Sequence, residues 1–158
     1  FATFEDASGY VRKLDIDILR NAFSTEISSI SQRSRIYISR SKSPKRTIAN
    51  EEEVEENLRK RGFSIVCSED LSFVEQVKVF ASAKKVVGLH GAGLSNLVWC
   101  SPGTSVLEIF PYNNLHFCYA TLASNNRMQY SYMECAQDMG THGRVDIDIL
   151  LSKLGFLG

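Results

Sequence analysis

The chain has 158 residues, of which 44% are hydrophobic and 23% are charged, and its 18 basic and 18 acidic side chains give a net charge of zero. This length suits one folded domain, and the composition excludes disordered, collagen-like and disulfide-scaffold proteins. The neutral balance argues against a general binder of nucleic acid or of membrane surfaces. No apolar run approaches the ~20 residues of a membrane-spanning helix, so we expect no span in this chain.

Residues 1–32 predict a helical lead-in, with one helical apolar pattern over residues 14–23 and a polar segment after it. The sequence Asp-Ile-Asp-Ile-Leu occurs at 15–19 and again at 146–150. An Asp-x-Asp pair can hold a divalent metal against a sugar-nucleotide diphosphate. Each copy here opens an amphipathic helix, however, where acidic residues at the cap and first turn are expected, so we favour the capping interpretation.

From residue 33 to residue 158, short β-type runs alternate with helical patterns, which is typical of βαβ units and a parallel sheet. Strands are predicted over 35–39, 63–67, 85–89, 106–110 and 128–133. Helices are predicted over 50–62 (Asn50 as N-cap), 72–84 (a Ser72–Glu75 capping box), 94–100, 115–124 and 146–154. Right-handed crossovers between five such strands make an α/β domain, Rossmann-like with three layers and a mainly parallel sheet.

The most informative segment is the turn His90-Gly91-Ala92-Gly93, which follows a buried strand and leads into a helix at Leu94. The unpaired N–H groups of the turn and the helix dipole would face a ligand beyond the strand's carboxyl end, and this geometry favours a phosphate. His90 would add a side-chain donor. The alternative is that the glycines only make a tight turn and that His90 is a core histidine.

Known motifs test this segment. A dinucleotide fingerprint needs a third glycine where Asn96 stands, although Glu108 lies near the expected acidic position. A hydrolase would use the turn as an oxyanion loop, but no G-x-S-x-G nucleophile elbow occurs, and a Walker loop is also absent. Neither a dehydrogenase nor an esterase is favoured.

A basic loop follows the first predicted strand. Between residues 33 and 46 the chain has no acidic residue and six basic ones, Arg33, Arg35, Arg40, Lys42, Lys45 and Arg46. In a parallel sheet this loop lies on the same edge as the His90 turn, and Arg40, just past the strand, could bind a diphosphate in bidentate fashion. The alternative is a solvated loop that balances the Glu-rich helix after it.

An ordered series of motifs makes the chain recognisable. They are IYISR (36–40), RTIANE (46–51), GF (62–63), LSFVEQV (71–77), VGLHGAGLSN (87–96), PG (102–103) and VLEIFP (106–111). Over about residues 33–135 this series resembles glycosyltransferase family 61. That family includes plant β-1,2-xylosyltransferases, eukaryotic O-linked N-acetylglucosamine transferases and bacterial proteins of capsular polysaccharide biosynthesis.

The resemblance implies an inverting, metal-independent transferase of the GT-B architecture, whose C-terminal half binds the nucleotide-sugar donor. Carried onto this sequence, it assigns the diphosphate to Arg40 and the motif that runs from His90 through Gly91, Ala92, Gly93 and Leu94 to Asn96. Ser68 and Glu69 would lie near the nucleobase of the donor, and Glu108 would reach its ribose. Asn50 and Glu75 also match the family pattern, although helix capping explains both without a ligand.

The resulting expectation is a donor-binding domain that takes a nucleotide sugar, UDP-linked by preference, for transfer to the hydroxyl of a glycan or glycoprotein. We expect no cofactor, and no metal because the three histidines lack helical ligand spacing. The general base is unknown and is expected from an acceptor-binding domain or a partner chain. The rivals are a non-catalytic nucleotide-sugar-binding module and, less favoured, an NAD-type dinucleotide-binding domain.

The cysteines and the first residue bear on the surroundings of the protein. The thiols are too widely spaced for a disulfide framework, so we expect them reduced and mostly in the core. Because the chain begins at Phe1 rather than Met, an upstream signal or anchor stays open. We expect a cytoplasmic location, with membrane association as an alternative, or the ER or Golgi lumen in a eukaryote.

Overall fold

The fold is organised around a sheet of parallel strands. The computed structural model describes residues 11–28, 30–31, 34–43 and 47–156. Within them the strands are β1 (Ser34–Ile38), β2 (Ser64–Val66), β3 (Ala83–Leu89), β4 (Ser105–Phe110) and β5 (Gln129–Glu134). The α-helices are α1 (Lys13–Ala22), α2 (Ser24–Ser28), α3 (Glu51–Arg59), α4 (Phe73–Ala81), α5 (Cys118–Asn125) and α6 (Ile147–Phe156). Two 3₁₀ helices are η1 (Ser68–Asp70) and η2 (Ala92–Trp99).

The predicted alternation of strands and helices is confirmed, but several details differ. Residues 83 and 84, predicted as the end of a helix, begin β3. The helix predicted over 94–100 is the 3₁₀ helix η2, and the helix predicted from residue 115 begins at Cys118. A short helix, α2, replaces part of the predicted polar linker, because Phe23 and Ile27, four residues apart, both pack against the core. The predicted boundary between residues 32 and 33, together with Arg33, Lys45 and Arg46, lies outside the described residues.

The strand order places a natural ligand site between β1 and β3. The order is β2-β1-β3-β4-β5, and each neighbouring pair is parallel. The chain passes from β1 to β2 on one side and then returns to β3 on the other side of β1. Open α/β sheets bind ligands at the carboxyl ends of the strands where the direction of winding reverses in this way. The Rossmann-like α/β prediction is confirmed.

Helices cover both faces of the sheet. On one face the core includes Phe80 of α4, Leu97 of η2 and Leu122 of α5. On the other face α3 and α6 contribute the cluster Val54, Leu58 and Leu150. Burial on both faces explains why β3 is apolar throughout its second half, residues 86–89, after the two lysines near its start. None of the described helices is long and apolar enough to cross a membrane.

Side-chain caps fix the starts of several helices. The Ser72 hydroxyl accepts a hydrogen bond from the Glu75 N–H at 3.4 Å, and the Glu75 carboxylate accepts one from the Ser72 N–H at 2.8 Å, as the capping-box prediction requires. Asp146 accepts from the Ile149 N–H at 3.0 Å at the start of α6. Asp15 closes a capping box at the start of α1. In both copies, therefore, the first aspartate of the repeated sequence acts at a helix start.

Asn50 stands at the N-cap of α3, but its side chain does not cap the helix. Its Oδ1 accepts from the Val145 N–H at 3.0 Å, and its Nδ2 donates to the Val145 carbonyl at 2.9 Å. The predicted position of Asn50 at the helix start is therefore confirmed, but its side chain does not cap the helix. The amide instead joins the start of α3 to the segment before α6, because two backbone groups there need partners in a buried position.

The lead-in helix α1 packs against the rest of the domain. Ile16 is buried in the core, and the guanidinium of Arg20 donates to the carbonyl oxygens of Trp99 and Cys100 at 2.6 and 2.5 Å. These carbonyls stand at the end of η2, where backbone acceptors lack helical partners. The ring of Phe23 meets Trp99 edge-on, with centroids 5.2 Å apart.

None of the four cysteines forms a disulfide, and three of them are buried. Burial raises the pKa of Cys100 to about 12 and that of Cys135 to about 12, which keeps both protonated at neutral pH. The expectation of reduced thiols, mostly in the core, agrees with this arrangement.

Two glycines let the turn after β3 approach β1. A Cβ built on Gly88 would lie 3.2 Å from two carbons of Ile38, and one built on Gly93 would lie 3.0 Å from Ile38 Cγ2. The Ile38 side chain therefore occupies the space that side chains at 88 and 93 would need. This close approach sets the start of η2 against the end of β1, at the point where the topology predicts a ligand.

Replacing Gly93 by alanine should lower the free energy of unfolding by about 1–3 kcal/mol, because the new methyl overpacks Ile38. Gly155, in α6, has no atom within 4 Å of a built Cβ. Gly155→Ala should therefore be neutral or raise stability by up to about 1 kcal/mol, since alanine favours the helix. Urea unfolding of the two variants measures both effects, and equal losses would contradict the packing argument.

Candidate functional site

A crevice opens at the carboxyl edge of the sheet, between the ends of β1 and β3. Its volume is about 330 Å³, near the lower end of the ~300–1,000 Å³ typical of small-molecule sites. Four segments contribute its walls, namely the end of β1, the region of η1, helix α4 and the start of η2. The lining residues are Ile38, Ser39, Arg40, Ser68, Glu69, Gln76, Ala92, Gly93 and Asn96.

The start of η2 brings backbone donors to this crevice. Gly91 is its N-cap and has a φ of +156°, a conformation that favours glycine. Ala92 and Gly93 follow at the wall of the crevice. The first N–H groups of a helix have no partner within the helix, so they attract an anion.

Ser68 offers a hydroxyl beside the same turn. Its Oγ is buried and has no hydrogen-bond partner among the described residues. A Cβ built on Gly93 would lie 3.7 Å from this oxygen. Leaving a buried polar atom unsatisfied costs about 1–3 kcal/mol, so a ligand oxygen that reached Ser68 would gain a partner already in place.

Amide side chains tie the walls of the crevice together. Asn96 Nδ2 on η2 donates to Gln76 Oε1 on α4 at 2.8 Å, and Gln76 Nε2 donates to the Ser68 carbonyl at 3.0 Å. These bonds hold η2, α4 and η1 at fixed separations. Gln76 belongs to the recognised motif series, but sequence reasoning did not place it in the site because a glutamine in the first turn of a helix has no distinctive pattern.

Arg40 lines the crevice and lies two residues after the end of β1. Its Nη2 donates to Ser43 Oγ at 2.9 Å, and its backbone N–H donates to Glu51 Oε1 at 3.1 Å. Two residues farther on, Lys42 forms an ion pair of 2.6 Å with Asp70 of η1. Both partners are exposed, so this pair contributes at most about 1 kcal/mol, but it connects the loop after β1 with η1.

A second cavity, of about 650 Å³, shares Arg40 with the crevice, but most of the charged side chains that line it are acidic. Four carboxylates of α3 line it, from Glu51, Glu52, Glu53 and Glu55. Burial raises the pKa of Glu51, while hydrogen bonds from the Arg40 N–H and from Tyr37 oppose that shift. A diphosphate would meet like charges there, so the smaller crevice is the better anion site although it has half the volume.

Glu108 belongs to a buried network rather than to the crevice. It is completely buried in β4, and its two oxygens contact His90 Nδ1 and the Tyr130 hydroxyl, each at 2.5 Å. Burial, together with the hydrogen bond to Glu108, raises the pKa of Tyr130, so the phenol stays protonated and donates. His90 stacks on Phe110 with centroids 5.2 Å apart. Both carboxylate oxygens thus have partners within the protein, and Glu108 is not among the residues that line the crevice.

The structure brings about half of the predicted site residues to the crevice. Those are Arg40, Ser68, Glu69, Ala92, Gly93 and Asn96, with Gly91 at the adjoining N-cap. The remaining candidates lie elsewhere. Leu94 is fully buried in the core, and Glu75 is engaged in the capping box of α4. Asn50 lines the acidic cavity, and His90 is turned toward Glu108.

Comparison with known proteins adds evidence independent of this geometry. Residues 3–107, about two thirds of the chain, match the family model described as Glycosyltransferase 61. The chain is 35% identical over 71 residues to the protein O-linked-mannose beta-1,4-N-acetylglucosaminyltransferase 2 of Homo sapiens, and likewise to that of Bos taurus; 43% of this chain and 12% of each relative are covered. It is 43% identical over 49 residues to the beta-1,2-xylosyltransferase RCN11 of Oryza sativa subsp. japonica, with 30% and 9% covered.

Tyr130→Phe tests the buried network. Removing the Tyr130 hydroxyl takes a hydrogen-bond donor from the Glu108 carboxylate. Hydrogen bonds to charged groups contribute about 1.5–3 kcal/mol to stability. Tyr132→Phe is the matched control, since Tyr132 stands on the same strand and is 44% exposed. Urea unfolding should show the loss for Tyr130→Phe and a change within about 0.5 kcal/mol for Tyr132→Phe. Equal losses of unfolding free energy in the two variants would contradict a stabilising hydrogen bond from Tyr130 to Glu108.

Proposed function

Because this chain belongs to the glycosyltransferase 61 family, we propose that it is the donor-binding domain of a glycosyltransferase and that its crevice takes the diphosphate of a nucleotide sugar. UDP is the preferred nucleotide. The chain segments that match the curated relatives span 12% or less of those proteins. The acceptor, a hydroxyl of a glycan or glycoprotein, is therefore assigned to another domain or a partner chain.

The observation that carries the proposal is the convergence of three kinds of anion-binding group on one crevice. Arg40 supplies a permanent positive charge, the start of η2 supplies backbone N–H groups, and Ser68 supplies an unsatisfied hydroxyl. They come from the loops after three different strands, β1, β2 and β3. Only the parallel sheet brings these segments together, and it does so at the place where such folds bind ligands.

The chemistry asked of this domain is electrostatic. In an inverting transfer the acceptor oxygen forms a bond to the anomeric carbon while the bond from that carbon to the diphosphate breaks, and the electron pair leaves with the diphosphate. Negative charge develops on the leaving group as the transition state forms, so donors held at that position lower the barrier. The acceptor proton passes to a base that we assign outside this crevice.

The nucleoside part is proposed to lie along η1. Ser68 and Glu69 of η1 line the crevice, and the Lys42–Asp70 ion pair joins η1 to the loop after β1. A nicotinamide dinucleotide fits less well. Its fingerprint uses an acidic residue for the ribose, and both oxygens of Glu108 are already engaged in the buried network.

The resemblance also bears on the biological setting that we propose. The resemblance covers both eukaryotic enzymes of glycoprotein synthesis and bacterial proteins of capsular polysaccharide biosynthesis. The former setting would place the domain in the ER or Golgi lumen, and the latter in the cytoplasm beside the membrane. Sequence adjoining this chain in its gene would decide between them.

Arg40→Ala tests the donor site by calorimetry with UDP. Losing hydrogen bonds from a charged group, worth about 1.5–3 kcal/mol, should weaken UDP binding by about 10- to 100-fold. Arg35→Ala is the matched control, because Arg35 stands near the other end of β1 and its guanidinium bonds the Arg61 carbonyl at 3.0 Å. The control should bind UDP as the parent does.

Two outcomes would overturn the proposal. One is the absence of UDP and nucleotide-sugar binding at millimolar concentration, and the other is a folded Arg40→Ala variant that binds UDP as tightly as the parent. Turnover distinguishes an enzyme from a binding module. Release of free UDP from a nucleotide sugar by the protein would exclude the non-catalytic alternative, whereas tight binding of a nicotinamide dinucleotide alone would favour a dehydrogenase.

A further inference from the structure

A cluster of three metal-binding side chains lies at the carboxyl edge of the sheet, outside the proposed donor crevice. His90 follows β3, His116 stands in the loop after β4, and Cys118 is the first residue of α5. One nitrogen of each histidine and the Cys118 sulfur all lie within 4.8 Å of one another. A tetrahedral zinc ion with bonds of about 2.0–2.3 Å holds its ligands about 3.3–3.6 Å apart, so small side-chain rotations would close the set.

The hydrogen bond between His90 and Glu108 prepares one of these ligands. Nδ1 of His90 faces the Glu108 carboxylate at 2.5 Å, so in the neutral ring this nitrogen carries the hydrogen and Nε2 carries the lone pair. A carboxylate behind a histidine is the usual support of a metal ligand, because it fixes the ring and raises the basicity of the other nitrogen. Tyr130 holds the carboxylate from its second oxygen.

The surroundings of the three side chains indicate how an ion would enter and which metal would suit the cluster. Phe110 stacks on the His90 ring, and the Tyr119 ring lies 5.4 Å from it, which gives the cluster an apolar lining on that side. Cys118 is buried, whereas His116 is exposed, so an ion could enter from solvent past the imidazole of His116. Two imidazoles and one thiolate suit zinc better than magnesium or calcium, which prefer oxygen ligands.

We propose that His90, His116 and Cys118 form a zinc site that joins the end of β3 to the start of α5. Three protein ligands leave a fourth tetrahedral position toward solvent for water or an anionic group. None of these three ligands is among the groups proposed to bind the diphosphate, namely Arg40, Ser68 and the start of η2. The zinc proposal therefore does not depend on the proposed function. It differs from the expectation of no metal, whose spacing argument considered ligands within one helix and not ligands from separate segments.

Zinc titration of the metal-free protein, with any affinity tag removed, tests the site. We expect one equivalent of Zn²⁺ to bind and to raise the melting temperature. His116→Ala and Cys118→Ser should each weaken zinc binding by more than about tenfold. Loss of a group that only supports a metal ligand already costs about that much. Because His116 is exposed, its variant should fold even where the buried Cys118 variant does not.

Matched controls and a spectroscopic signature separate this site from adventitious binding. His142→Ala and Cys135→Ser remove one residue of each type from other places and should bind zinc as the parent does. Cobalt(II) in place of zinc should give a thiolate charge-transfer band that His142→Ala retains and Cys118→Ser loses. Zinc binding unchanged by His116→Ala, or a cobalt complex of the parent without the thiolate band, would overturn the proposal.

Discussion

The close packing of Ile38 between Gly88 and Gly93 is the constraint on which the carboxyl edge of the sheet depends. Larger residues at either glycine would push η2 away from β1, and the donors of η2 would no longer stand opposite Arg40. The two interpretations of the glycine-rich turn are therefore not exclusive. The glycines allow the close packing, and the anion-binding geometry that we propose would be a result of that packing.

Burial divides this edge into two regions with different chemistry. In the crevice, polar groups of Arg40, Ser68 and η2 meet a space that a ligand can enter. Around Glu108, by contrast, the carboxylate has both oxygens bonded to neighbours and no contact with solvent. A buried carboxylate with partners on both oxygens stabilises a particular arrangement of side chains, and its burial keeps it out of contact with solvent. The acidic residue that a dinucleotide fingerprint would assign to the ribose thus has a structural task here.

Much of the fold could be predicted from the sequence because local rules and tertiary packing agree. The apolar runs of the strands and the Ser72–Glu75 capping box are determined by residues close together in the chain. The positions of Arg40 and Gly93 at the crevice followed from the parallel topology alone. The direction of the His90 side chain could not be predicted, since it depends on Glu108 and Tyr130, which are distant in sequence. The same applies to Asn50, whose partner, Val145, lies 95 residues away.

The contact between Arg20 and the end of η2 bears on how the chain is inherited. The guanidinium bonds carbonyls 79 and 80 residues away, and the ring of Phe23 rests on Trp99 beside them. The family match likewise begins at residue 3, well before the first strand. An evolutionary exchange of modules that kept the sheet but replaced the lead-in would uncover Trp99 and remove the Arg20 donor from both carbonyls, although Asn126 Nδ2 would still donate to the Cys100 carbonyl at 2.8 Å. We therefore expect related proteins to inherit the lead-in and the sheet together, because variants that separate them lose these contacts.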